Sequence, residues 1–399
     1  MLNESVWTFD AAVPDHPDAL PSRADVVVIG TGVSGLTCAY ALAKSGRSVV
    51  ALDRGPVVAP SIAGIVHAGV DGSHEALIER VGEEDAASLL QAAGSASARL
   101  RHLIADADIE CDLEQTGVVS AAVSSGEAKR LARDADRLED LTGVSLEALG
   151  PDAGVELGIE GFRGGVFDPE GATVDMGRFV AGLVRAVTSA GALSIGHTEV
   201  RHIERKTTGY QVLTNTGKMS TGDVVLATSG HSGPLVSHVQ RRVVPRAVHL
   251  YALDAAPSDK PTIVFSRGPV VRRSGRVVIA DRSDPAGSSD AGDVHSTVMA
   301  DVAERIPDLA DASATHGWTI RQGHAFDGLP HIGEFDGMTY LVGQGQRDLP
   351  VGVAMGLDAA AALIGDIRRS PFEVAHAPGR WWYRGDPWFL NLAGRVRAR

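Results

Sequence analysis

Apolar residues fall into two patterns along this chain. Some form short unbroken runs rich in β-branched side chains, and others recur at helical spacing over longer stretches. The first run is Val26, Val27, Val28 and Ile29, as expected of a strand buried on both faces. Residues 36–44 then read as a helix, and 47–52 as a second strand ending in Asp53. Leu77, Ile78, Val81, Leu89, Leu90, Leu100 and Leu103 predict helical structure over 75–105. A short strand is expected at 117–123, a charged, solvated helix at 125–141 and another helix at 176–190. Strands are expected at 194–203, 209–215 and 222–228, then at 243–254, 262–265, 270–273 and 277–281, with Ser274-Gly275 as a hairpin turn. Residues 294–306 read as a helix stopped near Pro307, 338–343 as a last buried strand and 352–367 as an Ala-rich helix. The pattern predicts an α/β fold. Strands from the beginning, middle and end of the chain feed one parallel sheet, and those from about 236 to 320 form a second, mostly antiparallel one.

Composition narrows the partners. The 399 residues carry a net charge of −13, which argues against nucleic acid or an anionic membrane as the main partner. Cys38 and Cys111 are the only cysteines, and their placement gives neither a disulfide framework nor a metal-ligand spacing, so no metal is expected. The first residues lack the basic and apolar regions of a signal peptide, and no uncharged apolar run approaches a membrane span. A cytoplasmic location is the resulting expectation. Residues 1–23, with Pro14, Pro17 and Pro21, read as an irregular arm.

Chemistry enters at Gly30, Gly32 and Gly35, which follow the first strand as G-x-G-x-x-G. Gly30 permits the tight turn, Gly32 lets a pyrophosphate approach the backbone, and Gly35 allows the helix to pack on the strand. The helix N-terminus then offers free N–H groups to phosphates. Glycine makes up 46 of the 399 residues, so the spacing alone is a weak signal. The strand before it, the helix after it and Asp53 at the next strand end carry the assignment. An acidic residue there accepts hydrogen bonds from ribose hydroxyls.

Five further segments stand beside this one: GGVFDPEGATVD (164–175), GDVVLATSGHSGPL (222–235), RRVVPRAVHLYAL (241–253), HGWTIRQGHAFDGLPHIG (316–333) and YLVGQGQRDLPVGVAMG (340–356). In this order they resemble the FAD-dependent D-amino-acid oxidase superfamily, which contains glycine oxidase and sarcosine oxidase. The C-terminal GRWWYRGDPWFLNLAGR looks most like its γ-glutamylputrescine-oxidase-like branch. The resemblance implies a Rossmann-like FAD-binding domain with a mostly antiparallel-sheet substrate domain. The former would comprise 24–74, 156–235 and 321–370, the latter 75–155 and 236–320, with 1–23 and 371–399 as arm and tail.

The resemblance also implies non-covalent FAD and hydride transfer from the carbon beside nitrogen of a small amine or amino acid, with O2 or another electron acceptor. FAD contacts are implied at Gly30, Gly32, Val33, Ser34, Gly35, Asp53 and Arg54; at Ser61 and Gly64; at Val200; at Thr228, Ser229 and Gly230; and at Gly345, Leu349 and Gly352. Candidate catalytic residues are His67, Arg272, Arg321 and Arg347. His67 stands in a loop that departs from the family's usual sequence and offers a proton-transfer group, a flavin contact or, as in some relatives, a covalent bond to the flavin. Arg272 keeps the hairpin arginine suited to a carboxylate but lacks the adjacent aromatics. Arg347 lies in a flavin-edge loop, 344–350, bulkier than the family's, and either stabilises an anion or pairs with Asp348. Trp318 is expected mainly in core packing, with His316 and Arg321 beside it on the chain. These departures leave two alternatives to an oxidase open: a dehydrogenase or biosynthetic tailoring enzyme with little oxidase activity, and a flavin-binding scaffold with a degraded active site.

Overall fold

Val26, Val27, Val28 and Ile29 are at most 6% exposed, because a hydrophobic core packs on each face of the sheet they occupy. Residues 5–7, 20–57, 62–67, 69–70, 73–231, 235–256, 259–266, 268–273, 276–285, 291–345, 348–373 and 376–386 are described, in a computed structural model. The strand Arg23–Ile29 lies between Lys218–Leu226 and Val49–Leu52, and Leu193–Ile195 and Met338–Val342 extend the parallel sheet outward. His331–Phe335 adds an antiparallel edge, and the hairpin of Val200–Arg205 with Tyr210–Thr214 pairs along the first half of Lys218–Leu226. Val26 and Val28 face one core, shared with the helices Val33–Lys44, Met176–Ser189 and Asp348–Ile364. Val27 and Ile29 face another, built with Tyr210, Val212, Met338 and Tyr340. The alternation follows from the two-residue period of a strand.

The first and last helices cross closely. A Cβ on Gly356 would lie 2.5 Å from the Ser34 carbonyl oxygen, so only glycine permits this approach. The crossing brings the first turns of both helices to one end of the sheet.

The second sheet has eight strands in the order Ser313–Ala325, Val243–Asp254, Arg276–Pro285, Gly268–Arg273, Thr262–Phe265, Val118–Ala122, Gly164–Asp168 and Glu147–Leu149. All its pairings are antiparallel except Thr262–Phe265 with Val118–Ala122. Gly164–Asp168, grouped with the cofactor domain by sequence, hydrogen-bonds in this second sheet. The expected helical stretch at 75–105 is three helices: His74–Val81, Glu83–Gly94 and Ala96–Asp106. Gly82, at φ +86°, turns the chain between the first two. The expected strand at 194–203 is likewise two, broken where His197 takes φ +50°. The longest strand among the described residues, Ser313–Ala325, escapes the hydrophobic pattern because its partner Val243–Asp254 supplies most of the apolar residues while it carries Ser, Thr, His, Arg, Gln and Gly at most of its positions.

Candidate cofactor and substrate site

A cavity of about 1000 Å³ opens at the carboxyl ends of the parallel strands, where ligands of open α/β sheets bind. The turn after the first strand lines it through Gly30, Thr31, Gly32, Val33 and Ser34. The second strand end contributes Asp53, Arg54 and Gly55; the third contributes Ala227, Thr228, Ser229 and His231. Gln344 and Gly352 come from the approach to the last helix and from that helix itself. Ala247, Thr319, Ile320, Arg321 and Gln322 come from the second sheet, so both sheets share the cavity.

The glycine turn is shaped by close contacts on one side and open space on the other. Gly30 has φ +109°, and a Cβ there would lie 2.3 Å from the Ala227 carbonyl oxygen. A Cβ on Gly35 would lie 2.0 Å from the Gly30 carbonyl oxygen. Around Gly32 there is nothing within 4 Å, so that position faces the cavity. Gly32 also N-caps the helix Val33–Lys44 without any side-chain bond, and the first turn holds no acidic residue. Uncapped N–H groups at the end of a helix dipole therefore adjoin open space. That arrangement fits a dinucleotide diphosphate.

Asp53 is held in place by three donors. Its Oδ2 accepts from the Thr31 backbone N–H at 2.9 Å and from the Thr31 hydroxyl at 3.2 Å, and Oδ1 accepts from the Gly55 N–H at 2.9 Å. The half-buried carboxylate is thus fixed at the cavity wall, where an acidic residue can accept from a ribose. Val200, at the start of its strand, lines the same end with Thr198.

On the opposite wall Gln322, 5% exposed, donates from Nε2 to the Gly345 carbonyl at 2.7 Å, while its Oε1 accepts from His324 Nε2 at 3.0 Å. The Ser229 hydroxyl accepts from the Gly323 N–H at 3.1 Å. These bonds tie the second sheet to the third strand end and to the segment before the last helix. At the rim, Arg54 Nη2 donates to His231 Nδ1 at 2.5 Å. His231 opens onto the cavity, yet the surrounding walls desolvate it; that burial, reinforced by Arg54 and Arg321, pulls its pKa down to about 4. The ring is neutral near pH 7, with Nδ1 as acceptor.

Of the residues implied by resemblance, Gly30, Gly32, Val33, Ser34, Asp53, Arg54, Val200, Thr228, Ser229, Gly352 and Arg321 line this cavity. Gly35, Gly64, Gly230, Gly345 and Leu349 do not line it. Gly64, at φ +78°, serves a tight packing contact: a Cβ would lie 2.4 Å from the Val174 carbonyl oxygen. Leu349 is fully buried in the core. His67, 4% exposed, follows the short strand Ile65–Val66 and is not a lining residue of this cavity. Arg272 lies in Gly268–Arg273, opposite Val277. Ser61 and Arg347 fall outside the described residues. Trp318 is 4% exposed and packs edge-on against Trp7 with centroids 6.3 Å apart. Half-buried His316 contacts the Thr315 hydroxyl through Nδ1 at 3.1 Å and does not line the cavity.

Sequence reasoning passed over Thr31, His231, Gln322 and Gln344, all of which line the cavity. Each lies beside a glycine of one of these motifs, and that adjacency was the available signal. Among the described residues, no three His, Cys, Asp or Glu side chains are grouped to hold a metal, and no helix is long and apolar enough to cross a membrane.

A family model described as FAD dependent oxidoreductase matches residues 25–362. The chain is 25% identical over 420 residues to a probable oxidoreductase, OrdL, of Rhizobium meliloti, covering 96% of this chain and 95% of that one. It is 24% identical over 327 residues to the glycine oxidase of Geobacillus kaustophilus, covering 78% and 84%. The crystal structure of glycine oxidase from Geobacillus kaustophilus matches with a TM-score of 0.75 at 22% identity, over 90% of this chain and 100% of that one, so the fold is shared.

Proposed function

The chain belongs to the family of FAD-dependent oxidoreductases, and from that premise we propose that it oxidises a C–N bond of a small amine or amino acid, with O2 reoxidising the flavin. The observation that carries this reading is the cavity shared by the two sheets, with a dinucleotide cradle on one side and a second-sheet wall on the other. The cradle suits FAD: Gly32 leaves room at an uncapped helix end, and Asp53 is fixed as an acceptor for ribose hydroxyls.

When bound, FAD supplies the two-electron acceptor for a hydride leaving the carbon attached to nitrogen. The protein's part is to hold that C–H bond in place and keep water away. Val248, Leu250 and Trp318 of the second sheet are buried in one core with Leu349 and Val353 of the last helix, which packs the second sheet against that helix. The Gln322 bond to the Gly345 carbonyl fixes the segment before that helix against the same sheet. The substrate nitrogen must reach the site as a free amine, because an ammonium withholds the lone pair that drives hydride loss.

The test begins with the protein as purified. A flavin spectrum is expected, with FAD released on acid denaturation. Anaerobic mixing with a panel of amines and amino acids is expected to bleach the flavin for at least one compound, and air is expected to restore the colour at the turnover rate. A protein that neither carries nor binds FAD overturns the reading. Bleaching with slow recovery in air transfers the assignment to a dehydrogenase using another acceptor.

A further inference from the structure

We propose that Arg54, His231 and Arg321 form a clasp over the FAD diphosphate, with the two guanidinium groups as its counter-charge and His231 as the hinge between them. The inference rests on the FAD reading above. It assigns Arg321 to cofactor retention instead of to the reacting end of the substrate.

Topology carries the argument. The first strand lies between the second and third in the sheet, so the loops that follow those two flank the glycine turn on both sides. Arg54 belongs to the loop after the second strand and His231 to the loop after the third. Their hydrogen bond therefore spans Gly30–Ser34, where the uncapped helix end adjoins open space. Strands in a sheet are about 4.8 Å apart, so the two loops are about two spacings apart, within the reach of an arginine. Arg321 enters from the second sheet. Its carbonyl oxygen would lie 3.0 Å from a Cβ on Gly230, the residue before His231.

The charges at this rim are unbalanced without a ligand. The Arg54 and Arg321 side chains are exposed, and neither makes an ion pair with an acidic side chain among the described residues. Asp53, hydrogen-bonded by Thr31 and Gly55, supplies one negative charge near His231 against the two guanidinium groups. An exposed Arg–His contact contributes little to folding. Both guanidinium groups act on the His231 ring, so an anion at this rim meets two positive charges. A diphosphate carries two negative charges and accepts charge-assisted bonds from both. The neutral His231 ring can accept from Arg54 without adding a third positive charge.

The test measures equilibrium binding of FAD and of ADP to apoprotein, by flavin fluorescence quenching and by calorimetry, across a range of salt concentrations. For Arg54→Gln and Arg321→Gln the expected loss is roughly ten- to a hundredfold for both ligands, with a shallower salt dependence. Arg54→Lys and Arg321→Lys should restore the salt dependence, and His231→Ala should speed FAD release. Affinities within twofold of wild type for both Gln variants overturn the clasp. Wild-type protein that binds ADP but not FAD overturns the FAD reading and leaves the diphosphate clasp standing. Binding of neither ligand overturns both.

Discussion

Gly30 and Gly32 share one turn but answer to different constraints, and substitution separates them. Alanine at Gly30 must adopt φ +109° and place its Cβ 2.3 Å from the Ala227 carbonyl oxygen. The expected cost is roughly 1–3 kcal/mol for the backbone conformation alone, before the clash is relieved. Alanine at Gly32 meets nothing within 4 Å, so the fold tolerates it, while the methyl group enters the space a diphosphate needs. Gly30→Ala should therefore lower the melting temperature of apoprotein, and Gly32→Ala should leave it unchanged but weaken FAD binding. Thermal melts of the two apoproteins check this, and equal destabilisation would show that the turn responds as one unit.

His238 supports a prediction of a different kind. Its ring stacks on Phe335 with centroids 4.2 Å apart. Burial, then Arg242 and Arg241, pull its pKa from 6.5 down to about 4. The folded state thus prefers the neutral ring, whereas the unfolded chain takes up a proton near pH 6.5. The sign follows: this contribution to stability is complete above pH 6.5, declines as pH falls towards 4, and then levels off. His231 acts in the same direction. Melting temperature against pH should fall across that window in wild type and less steeply in His238→Gln.

Among the elements, the long strand Ser313–Ala325 joins the two halves of the site. Gln322 is its key contact, because its amide crosses to the Gly345 carbonyl at 2.7 Å in a buried setting. Gln322→Ala leaves that carbonyl without this donor, at an expected cost of about 1–3 kcal/mol. Denaturant melts should register the loss, and flavin dissociation should quicken with it. This strand also marks where sequence reading stops. The first parallel strand and its glycine turn were legible because burial on both faces imposes an unbroken apolar run and the turn imposes glycine. Ser313–Ala325 alternates clearly only over 318–322, and its inward position 322 is a glutamine, so the apolar signal is too short to read as a strand. The same limit explains His231. A histidine after a strand end has no pattern of its own, and only the pairing of strands in space brings it to Arg54.

The two sheets meet at a cavity, and that governs how the whole chain should respond to its cofactor. If the two sheets unfolded separately, a ligand that contacts only one of them would raise the melting point of that part alone. Here Gly30–Ser34, Asp53 and Thr228 belong to the parallel sheet, while Thr319, Arg321 and Ala247 belong to the other, and all line one space. FAD at a hundred times its dissociation constant should stabilise the folded state by about 2.7 kcal/mol through mass action. Because both sheets supply walls, that gain should shift one cooperative transition. Removing the flavin is expected to lower the melting temperature of the chain as a unit, and adding FAD to restore it in proportion to the logarithm of its concentration. Calorimetry of apoprotein and holoprotein reads this directly. A holoprotein scan in which one transition moves and a second stays fixed would mean that the sheets fold independently, and that the second sheet's side of the cavity contributes nothing to holding FAD.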